Sequence, residues 1–379
     1  MKVYLDNGAT TMVDKKVVDS MLPFYVDKFG NASSLHQFGV EAKEALDNAR
    51  KIIANKINAD PEEIVFTGSG SESDNLAIKG IAYSNKEKNH IITSKIEHPA
   101  VLETCKVLEK QGFEVTYLKV DKEGFIDLNE LKNSITNKTC LVSIMHANNE
   151  IGTIQDLKKI KDICKEKNVY FHTDAVQSFT KVEIDVKKIN VDLISFSSHK
   201  IHGPKGVGAL YVKKGTEIKK LIHGGHQEFD LRAGTENIPG IVGFAEAVRL
   251  GNKEHVTSMA KLRDKLINGL LKIKDTQLNG ATGNKRLCNN VNIIFRYIEG
   301  ESLLLKLDMN EIAVSTGSAC SSQDLRPSHV LTALGLRADV AHSSIRFTLS
   351  RFTTEKEIDY VLKVIPKLVE ELRQFSPLK

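Results

Sequence analysis

The stretch that decides the fold is Leu193-Ile-Ser-Phe-Ser-Ser-His-Lys-Ile-His-Gly-Pro-Lys-Gly-Val-Gly208. It opens with a short apolar run, typical of a buried strand, and continues into a polar loop that is rich in glycine. Lys200 therefore follows the end of a predicted strand, and in open α/β sheets ligands bind beyond strand ends. The lysine is either a solvated surface residue or an amine placed to form a Schiff base, and this setting weighs the two about equally.

Apolar runs of the same kind alternate with amphipathic stretches through the first two-thirds of the chain. The stretches predict helices such as Ser73–Tyr83, Ala100–Gln111 and Leu157–Lys167. Strand–helix alternation predicts an α/β fold with a mostly parallel sheet. The predicted strands are Ile64–Thr67, His90–Ser94, Glu114–Lys119, Cys140–His146, Val169–Thr173, Leu193–Ser197 and Gly208–Val212.

The pattern changes near residue 256, where a mixture of helices and strands begins. We expect a large α/β domain over residues 15–255 and a smaller α+β domain formed by residues 1–14 together with 256–379. The segments predicted in the smaller domain are Thr257–Ile273, Asn290–Phe295, Glu301–Met309, Ser344–Thr348 and Glu355–Arg373.

Composition narrows the class of protein. Of the 379 residues, 41% are hydrophobic and 27% are charged, which is typical of a globular chain. The net charge of +5 is spread over helical stretches, so nucleic acid is not an expected partner. The sequence has no apolar run of about 18 residues and no signal-peptide pattern, and its five cysteines form no CxxC pair. We expect a cytoplasmic protein without a membrane span and with reduced thiols.

Cys320 differs from the other cysteines. It lies in Ser315-Thr-Gly-Ser-Ala-Cys-Ser-Ser-Gln323, where every neighbour is small or polar, and this predicts an exposed thiol in a loop. The others lie within apolar or helical patterns and are expected in the core: Cys105, Cys140, Cys164 and Cys288.

Two further strand ends carry groups that complement Lys200. Gly68-Ser-Gly-Ser-Glu-Ser-Asp-Asn75 precedes a predicted helix and is either a capped turn or a cup for phosphate. Asp174 is either a helix cap or the partner of a protonated ring nitrogen. A phosphate cup, an acid and a lysine at successive strand ends are what pyridoxal phosphate requires. His98, after His90–Ser94, is either structural or placed to stack on the ring and carry protons.

Longer phrases around these residues resemble the cysteine desulfurases of the class-V aminotransferase family, from residue 4 to about residue 373. The short loop around Cys320 is similar to that of the NifS/IscS group, and within it the NifS type is nearer. The phrases are Tyr4-Leu-Asp-Asn-Gly-Ala-Thr-Thr11, Gly30-Asn-Ala-Ser-Ser-Leu-His36, Met145-His-Ala-Asn-Asn-Glu-Ile-Gly152, Phe171-His-Thr-Asp-Ala-Val-Gln177, Ser198-His-Lys-Ile-His-Gly-Pro-Lys-Gly206, Gly224-Gly-His-Gln-Glu228, Arg232-Ala-Gly-Thr-Glu-Asn237, Ser315-Thr-Gly-Ser-Ala-Cys320 and Ile345-Arg-Phe347.

The resemblance implies the aspartate-aminotransferase fold (fold type I), pyridoxal phosphate as cofactor and a homodimer. It implies that Lys200 forms the Schiff base, Asp174 pairs with the ring nitrogen and His98 stacks on the ring and transfers protons. It assigns the phosphate to Gly70, Ser71, Ser197, His199 and, from the other subunit, Thr235. It assigns the ring's hydroxyl side to Asn149 and Gln177, and the substrate to Asn149 and Arg346.

The implied reaction converts L-cysteine to L-alanine and leaves the sulfur on Cys320 as a persulfide for iron–sulfur cluster assembly. The acceptor would be a protein such as a U-type iron–sulfur scaffold, and Cys320 is a candidate transient ligand of the cluster. The alternatives are a selenocysteine or cysteine-sulfinate lyase, or a related fold type I aminotransferase. Gly8, Ala32, Ser71 and Gln323-Asp324 depart from the usual family residues, and none of them removes a catalytic group.

Overall fold

The computed structural model describes residues 1–85, 87–316 and 327–376. Its strands, in chain order, are β1 (Val3–Tyr4), β2 (Ile64–Thr67), β3 (His90–Ser94), β4 (Glu114–Leu118), β5 (Thr139–Ser143), β6 (Tyr170–Asp174), β7 (Leu193–Ser197), β8 (Gly208–Val212), β9 (Thr276–Leu278), β10 (Asn290–Phe295), β11 (Ile312–Ala313), β12 (Ser315–Thr316) and β13 (Ser344–Thr348).

The described residues also form fourteen helices. They are α1 (Lys15–Met21), α2 (Pro23–Val26), α3 (Gln37–Lys56), α4 (Gly70–Ser84), α5 (Pro99–Glu109), α6 (Leu128–Ser134), α7 (Leu157–Glu166), α8 (Val186–Ile189), α9 (Ile238–Leu250), α10 (Lys253–Leu270), α11 (Gly300–Met309), α12 (His329–Ala333), α13 (Ala338–Ala341) and α14 (Glu355–Phe375). Short 3₁₀ turns occupy Pro61–Glu63, Ser198–Lys200, Glu228–Asp230 and Gly283–Lys285.

Within the described residues, the larger sheet has seven strands in the order β2-β8-β7-β6-β5-β3-β4. The strands from β7 to β4 are parallel, whereas β8 is antiparallel to both of its neighbours. The prediction of a mostly parallel sheet is therefore confirmed. Strands β2, β3, β5, β7 and β8 are buried along their full length, which explains why they appear in the sequence as short continuous apolar runs.

Helices cover both faces of this sheet. Neighbouring strand residues point to opposite faces, so Ile92 packs in the core that includes α3, α7 and α9, while Ile91 packs against α4 and α5. The alternation buries each strand from both sides. The larger sheet is therefore a rigid middle layer whose strand ends and following loops are held in place.

A second sheet, ordered β12-β13-β10-β9, is antiparallel and packs with α10, α11 and α14 around its own core. Val3 and Leu5 belong to that core, and β1 pairs with β11. The N-terminal residues thus pack with the C-terminal part of the chain. The domain division into residues 15–255 and residues 1–14 with 256–379 remains our proposal, and the separation of these two cores supports it. None of the helices in the described ranges is long and apolar enough to cross a membrane.

Candidate active site

A cavity of about 480 Å³ lies at the carboxyl edge of the larger sheet, where the parallel strands end. Strand β7 there passes directly into the 3₁₀ turn Ser198–Lys200, and β2 and β3 are followed closely by α4 and α5. The wall brings together most of the residues that the sequence singled out: Gly70, Ser71, His98, Asn149, Asp174, Gln177, Ser197, His199, Lys200 and Arg346. Thr235 is exposed and lies outside this wall, and Cys320 lies outside the described residues.

Lys200 reaches across the cavity to the N-terminal segment. Its Nζ donates to the carbonyl oxygens of Gly8 at 2.6 Å and Ala9 at 2.7 Å. The Gly8 oxygen also accepts from Gln177 Nε2 at 3.0 Å. Residues 8–9 connect the core of the smaller sheet to the core of the larger sheet. Before them, Asn7 N donates to Thr348 O at the end of β13, and after them, Thr11 N donates to His199 O in the turn that follows β7. The amine of Lys200 is therefore oriented by backbone carbonyls at the junction of the two cores.

The first turn of α4 lines the part of the cavity for which the sequence suggests a phosphate cup. Ser69 caps the helix, because its Oγ accepts from Glu72 N at 3.1 Å. A Cβ added at Gly70 would lie 2.7 Å from Val176 Cγ2 and 3.3 Å from Ser197 Cβ, so only glycine brings the backbone this close. Free N–H groups at a helix start attract anions. This cup fits a phosphate group.

Asp174 lies at the end of β6 and is 6% exposed. Its Oδ1 accepts from Val176 N at 2.8 Å. Burial raises the pKa of Asp174 to about 6, and the hydrogen bond from Val176 N and the charge of Lys200 act in the opposite direction. A buried carboxylate of this kind fits the protonated nitrogen of a pyridine ring. The wall thus offers a phosphate cup, an acid and an amine, the three groups that pyridoxal phosphate needs.

His98 caps the start of α5, and its Nδ1 accepts from Ala100 N at 3.1 Å. Burial, together with the smaller effects of the Lys200 and His329 charges, lowers the pKa of His98 to about 4. The imidazole is thus neutral near pH 7 with its proton on Nε2. The Nε2–H is then the group of this ring that can donate to a ligand in the cavity.

Arg346 projects from β13 and is 2% exposed. Its Nη2 donates to Asp6 Oδ1 at 3.0 Å, and its Nη1 donates to the carbonyl oxygen of Asn149 at 3.1 Å. Within the described part of the chain, Arg346 Nε has no hydrogen-bond partner. Two nitrogens of the Arg346 guanidinium are thus held by hydrogen bonds, and the third is a buried donor without a partner in this part of the chain. A guanidinium fixed in this way fits the binding of a carboxylate.

Several residues of the wall were missed by the sequence prediction. Glu150 is buried, accepts a hydrogen bond from Ser328 Oγ at 2.5 Å, and has a pKa that burial raises to about 7. His329 Nε2 donates to Glu97 O at 2.9 Å. Asp74 and Glu150 lie inside the quoted phrases Gly68–Asn75 and Met145–Gly152, so the sequence could have pointed to them. The backbone carbonyls of Gly8 and Ala9 could not be predicted in this way, because every residue type has the same carbonyl group.

Cys105, Cys140, Cys164 and Cys288 are free and buried, which confirms their prediction as core residues. Across residues 1–85, 87–316 and 327–376, no group of three or more His, Cys, Asp or Glu side chains could hold a metal ion. Cys320, the candidate cluster ligand, is not among these residues.

Comparison with known proteins identifies the family. The family model "Aminotransferase class-V" matches residues 3–361. A cysteine desulfurase IscS from Methanosarcina thermophila is 56% identical over 380 residues, covering 99% of this chain and 94% of that protein. The chain belongs to the cysteine desulfurase family. Two solved structures agree with this membership.

One solved structure, described as a NifS-like protein, is 42% identical, with a TM-score of 0.92, covering 98% of this chain and 100% of that one. The second is described as SspA in complex with cysteine, 40% identical, with a TM-score of 0.84, covering 93% of this chain and 100% of that one. These similarities confirm the fold type I prediction and the resemblance to the NifS/IscS group. For a cysteine desulfurase, an amine, an acid and an arginine facing one cavity are the expected groups.

Proposed function

We propose that this member of the cysteine desulfurase family converts L-cysteine to L-alanine and transfers the sulfur to Cys320 as a persulfide. The observation that carries the proposal is that Lys200, Asp174, the Gly70 cup and Arg346 face one cavity. We propose pyridoxal phosphate as cofactor, a homodimer in which Thr235 completes the phosphate site of the other subunit, and the cytoplasm as compartment. The buried free thiols support that compartment.

Each polar group of the wall has a task in this reaction. Pyridoxal phosphate, when bound, supplies a ring that withdraws electrons from the substrate's Cα–H bond. Asp174 holds a proton on the ring nitrogen, and Lys200 Nζ takes the proton from the substrate's Cα. Arg346 binds the substrate carboxylate and so fixes the orientation of Cα and Cβ.

The sulfur transfer is a displacement at the sulfur of the substrate. The Cys320 thiolate forms the new S–S bond while the substrate's C–S bond breaks, and the electron pair of that bond passes to Cβ, which is protonated to give alanine. Attack requires a thiolate. The Nε2–H of His98 is placed to stabilise one in the cavity, since its Nδ1 already accepts from Ala100.

The persulfide then needs an acceptor. We propose an iron–sulfur scaffold protein of the U type, with transient ligation of the cluster by Cys320 during delivery. The name IscS of the Methanosarcina thermophila relative is consistent with this role.

Purified protein, reconstituted with pyridoxal phosphate and given L-cysteine and a reductant, tests the proposal. We expect sulfide and alanine in equal amounts. Cys320→Ala should abolish sulfide release and keep the absorbance band of the bound cofactor, while Cys288→Ala, a buried thiol, should keep the activity. Sulfide release by Cys320→Ala at the wild-type rate would refute the sulfur-accepting role. A cofactor band without sulfide, but with turnover of selenocysteine or cysteine sulfinate, would favour a lyase.

A further inference from the structure

Asp74 is a buried carboxyl group at the cofactor end of the cavity. It lies in α4, four residues after Gly70 and therefore on the same side of the helix as the phosphate cup. The side chain is 1% exposed, and its Oδ1 has no hydrogen-bond partner in the described part of the chain. His172 Nε2 lies 3.7 Å from this oxygen.

Three titratable groups face Asp74. His172 and Asp174 come from β6, two positions apart and so on one face of the sheet, and Glu97 comes from the turn after β3. His172 supplies no charge, because its ring nitrogens pair with hydroxyls (Ser143 Oγ and Ser195 Oγ, both at 2.9 Å) and burial lowers its pKa to about 3. Asp74 thus has two acidic neighbours and no cationic one among them.

The three buried acids differ in the donors that they receive. Glu97 accepts from Ser94 Oγ at 2.5 Å and from Met145 N at 3.1 and 3.0 Å on its two oxygens. Burial nevertheless raises the pKa of Glu97 to about 8, so the negative charge near neutral pH is divided mainly between Asp74 and Asp174. Asp174 accepts from Val176 N at 2.8 Å. Hydrogen bonds from N–H and O–H donors favour the ionised form, and three carboxylates buried together cannot all ionise. Asp74 also interacts with the Ser195 hydroxyl, which favours its ionised form, but its Oδ1 is buried without a donor, and this makes Asp74 the acid suited to keep its proton.

We propose that Asp74 is a positioning residue that remains a neutral carboxylic acid, so that Asp174 is the anion facing the ring nitrogen. Burial and the neighbouring Asp174 charge raise the pKa of Asp74 well above its ordinary value, in agreement with this assignment. A neutral Asp74 also leaves the phosphate cup at Gly70 without a repelling charge one helical turn away. The part of this inference that concerns the cofactor rests on the proposed function.

Infrared difference spectroscopy of the full-length chain tests the protonation state. We expect wild-type protein near pH 7.5, with and without pyridoxal phosphate, to show the C=O band of a protonated carboxyl group that is missing in Asp74→Asn. Identical spectra for the two proteins would overturn the proposal. Asp174→Asn removes the neighbouring charge, so the band should titrate away at a pH about one unit lower than in wild type. An unchanged titration would overturn the proposal independently of how Asp74→Asn folds.

The affinity for pyridoxal phosphate distinguishes a neutral Asp74 from a charged Asp74. Asn has the shape of Asp and no charge, so Asp74→Asn should bind pyridoxal phosphate within about threefold of wild type, while Asp174→Asn should bind it at least about tenfold more weakly. Equal weakening in both variants would mean that the charge of Asp74 is used. A chain that binds no pyridoxal phosphate would refute the proposed function, and the infrared test on the cofactor-free protein would still decide the state of Asp74.

Discussion

Lys200 Nζ donates to the carbonyl oxygen of Gly8 at 2.6 Å, although the two residues are 192 positions apart. Gly8 leaves the core of the smaller sheet, whereas Lys200 follows β7 of the larger one. The same oxygen accepts from Gln177 Nε2 at 3.0 Å. One backbone carbonyl therefore orients the amine and links it to both cores, so the position of the amine depends on how the cores pack together.

Replacing Lys200 with Ala should remove the covalent link to the cofactor and slow sulfide release by about 10³-fold or more, because Lys200 is the one lysine among the described residues that lines this cavity and can move the Cα proton. Sulfide assays with L-cysteine and the visible absorbance of the purified protein would measure both effects. Lys205→Ala is the control, since Lys205 is an exposed residue of the same loop. Comparable activity of the two variants would contradict the role of Lys200.

Arg346→Lys should raise the KM for L-cysteine by about 10- to 100-fold with a smaller change in kcat, since lysine keeps the charge but loses the planar fork. Steady-state kinetics at saturating cofactor would show the difference. Arg351→Lys is a matched control, because Arg351 is also buried and ion-paired, with Asp14, but lies outside this cavity wall. An equal rise in KM for both variants would show that Arg346 has no specific part in substrate binding.

Asp174→Asn should stabilise the cofactor-free protein at neutral pH. Burial raises the folded-state pKa of Asp174 to about 6 from an ordinary value of 3.8. The folded chain then binds the proton more tightly than the unfolded chain, so the wild type loses stability as pH rises from about 4 to about 6. The asparagine variant avoids this loss, which amounts to about 2–3 kcal/mol above pH 6.

Urea unfolding of the cofactor-free proteins at pH 7.5 and below pH 4 would measure this effect on the free energy of unfolding. The advantage of Asp174→Asn should be present at the higher pH and vanish at the lower one. A variant less stable than wild type at both values would show that the carboxylate is satisfied without the cofactor.

Thr180→Gly should stabilise the protein by about 1 kcal/mol. Thr180 has φ 64°, in the left-handed region that a β-branched residue adopts only with strain. Asn168→Gly is the control, because Asn168 has φ 52° and asparagine tolerates this region, so its change should stay within about 0.5 kcal/mol. The free energies of unfolding of the two variants would be compared by urea titration, and a destabilised Thr180→Gly would mean that the threonine side chain contributes more than the strain costs.

The strands of the larger sheet were predicted best, because strands buried on both faces are continuous apolar runs. Ile64–Thr67, His90–Ser94, Leu193–Ser197 and Gly208–Val212 have their predicted bounds. The strand predicted at Cys140–His146 instead spans Thr139–Ser143. The apolar pattern continues past its end because Ile144 packs in the core of the larger sheet and Met145 lines the cavity, although neither belongs to the strand. The long helix α3 is missing from the prediction, although it too buries one face.

Residue types at the ends of strands predicted pyridoxal phosphate as cofactor and, for its site, the turn Gly68–Asn75, Asp174, Lys200 and His98, since parallel strands bring their carboxyl ends to one edge. Strand–helix alternation predicted the α/β fold. The family resemblance supplied the remaining predicted residues of the wall: Asn149, Gln177, Ser197, His199 and Arg346. The roles assigned to those residues, and to Cys320, stay predictions. Only the tertiary structure decided that the carbonyls of Gly8 and Ala9 hold Lys200, and that Oδ1 of Asp74 is buried without a hydrogen-bond partner among the described residues. Such contacts join residues far apart in the sequence, and a carbonyl oxygen is the same in every residue, so no local pattern records them.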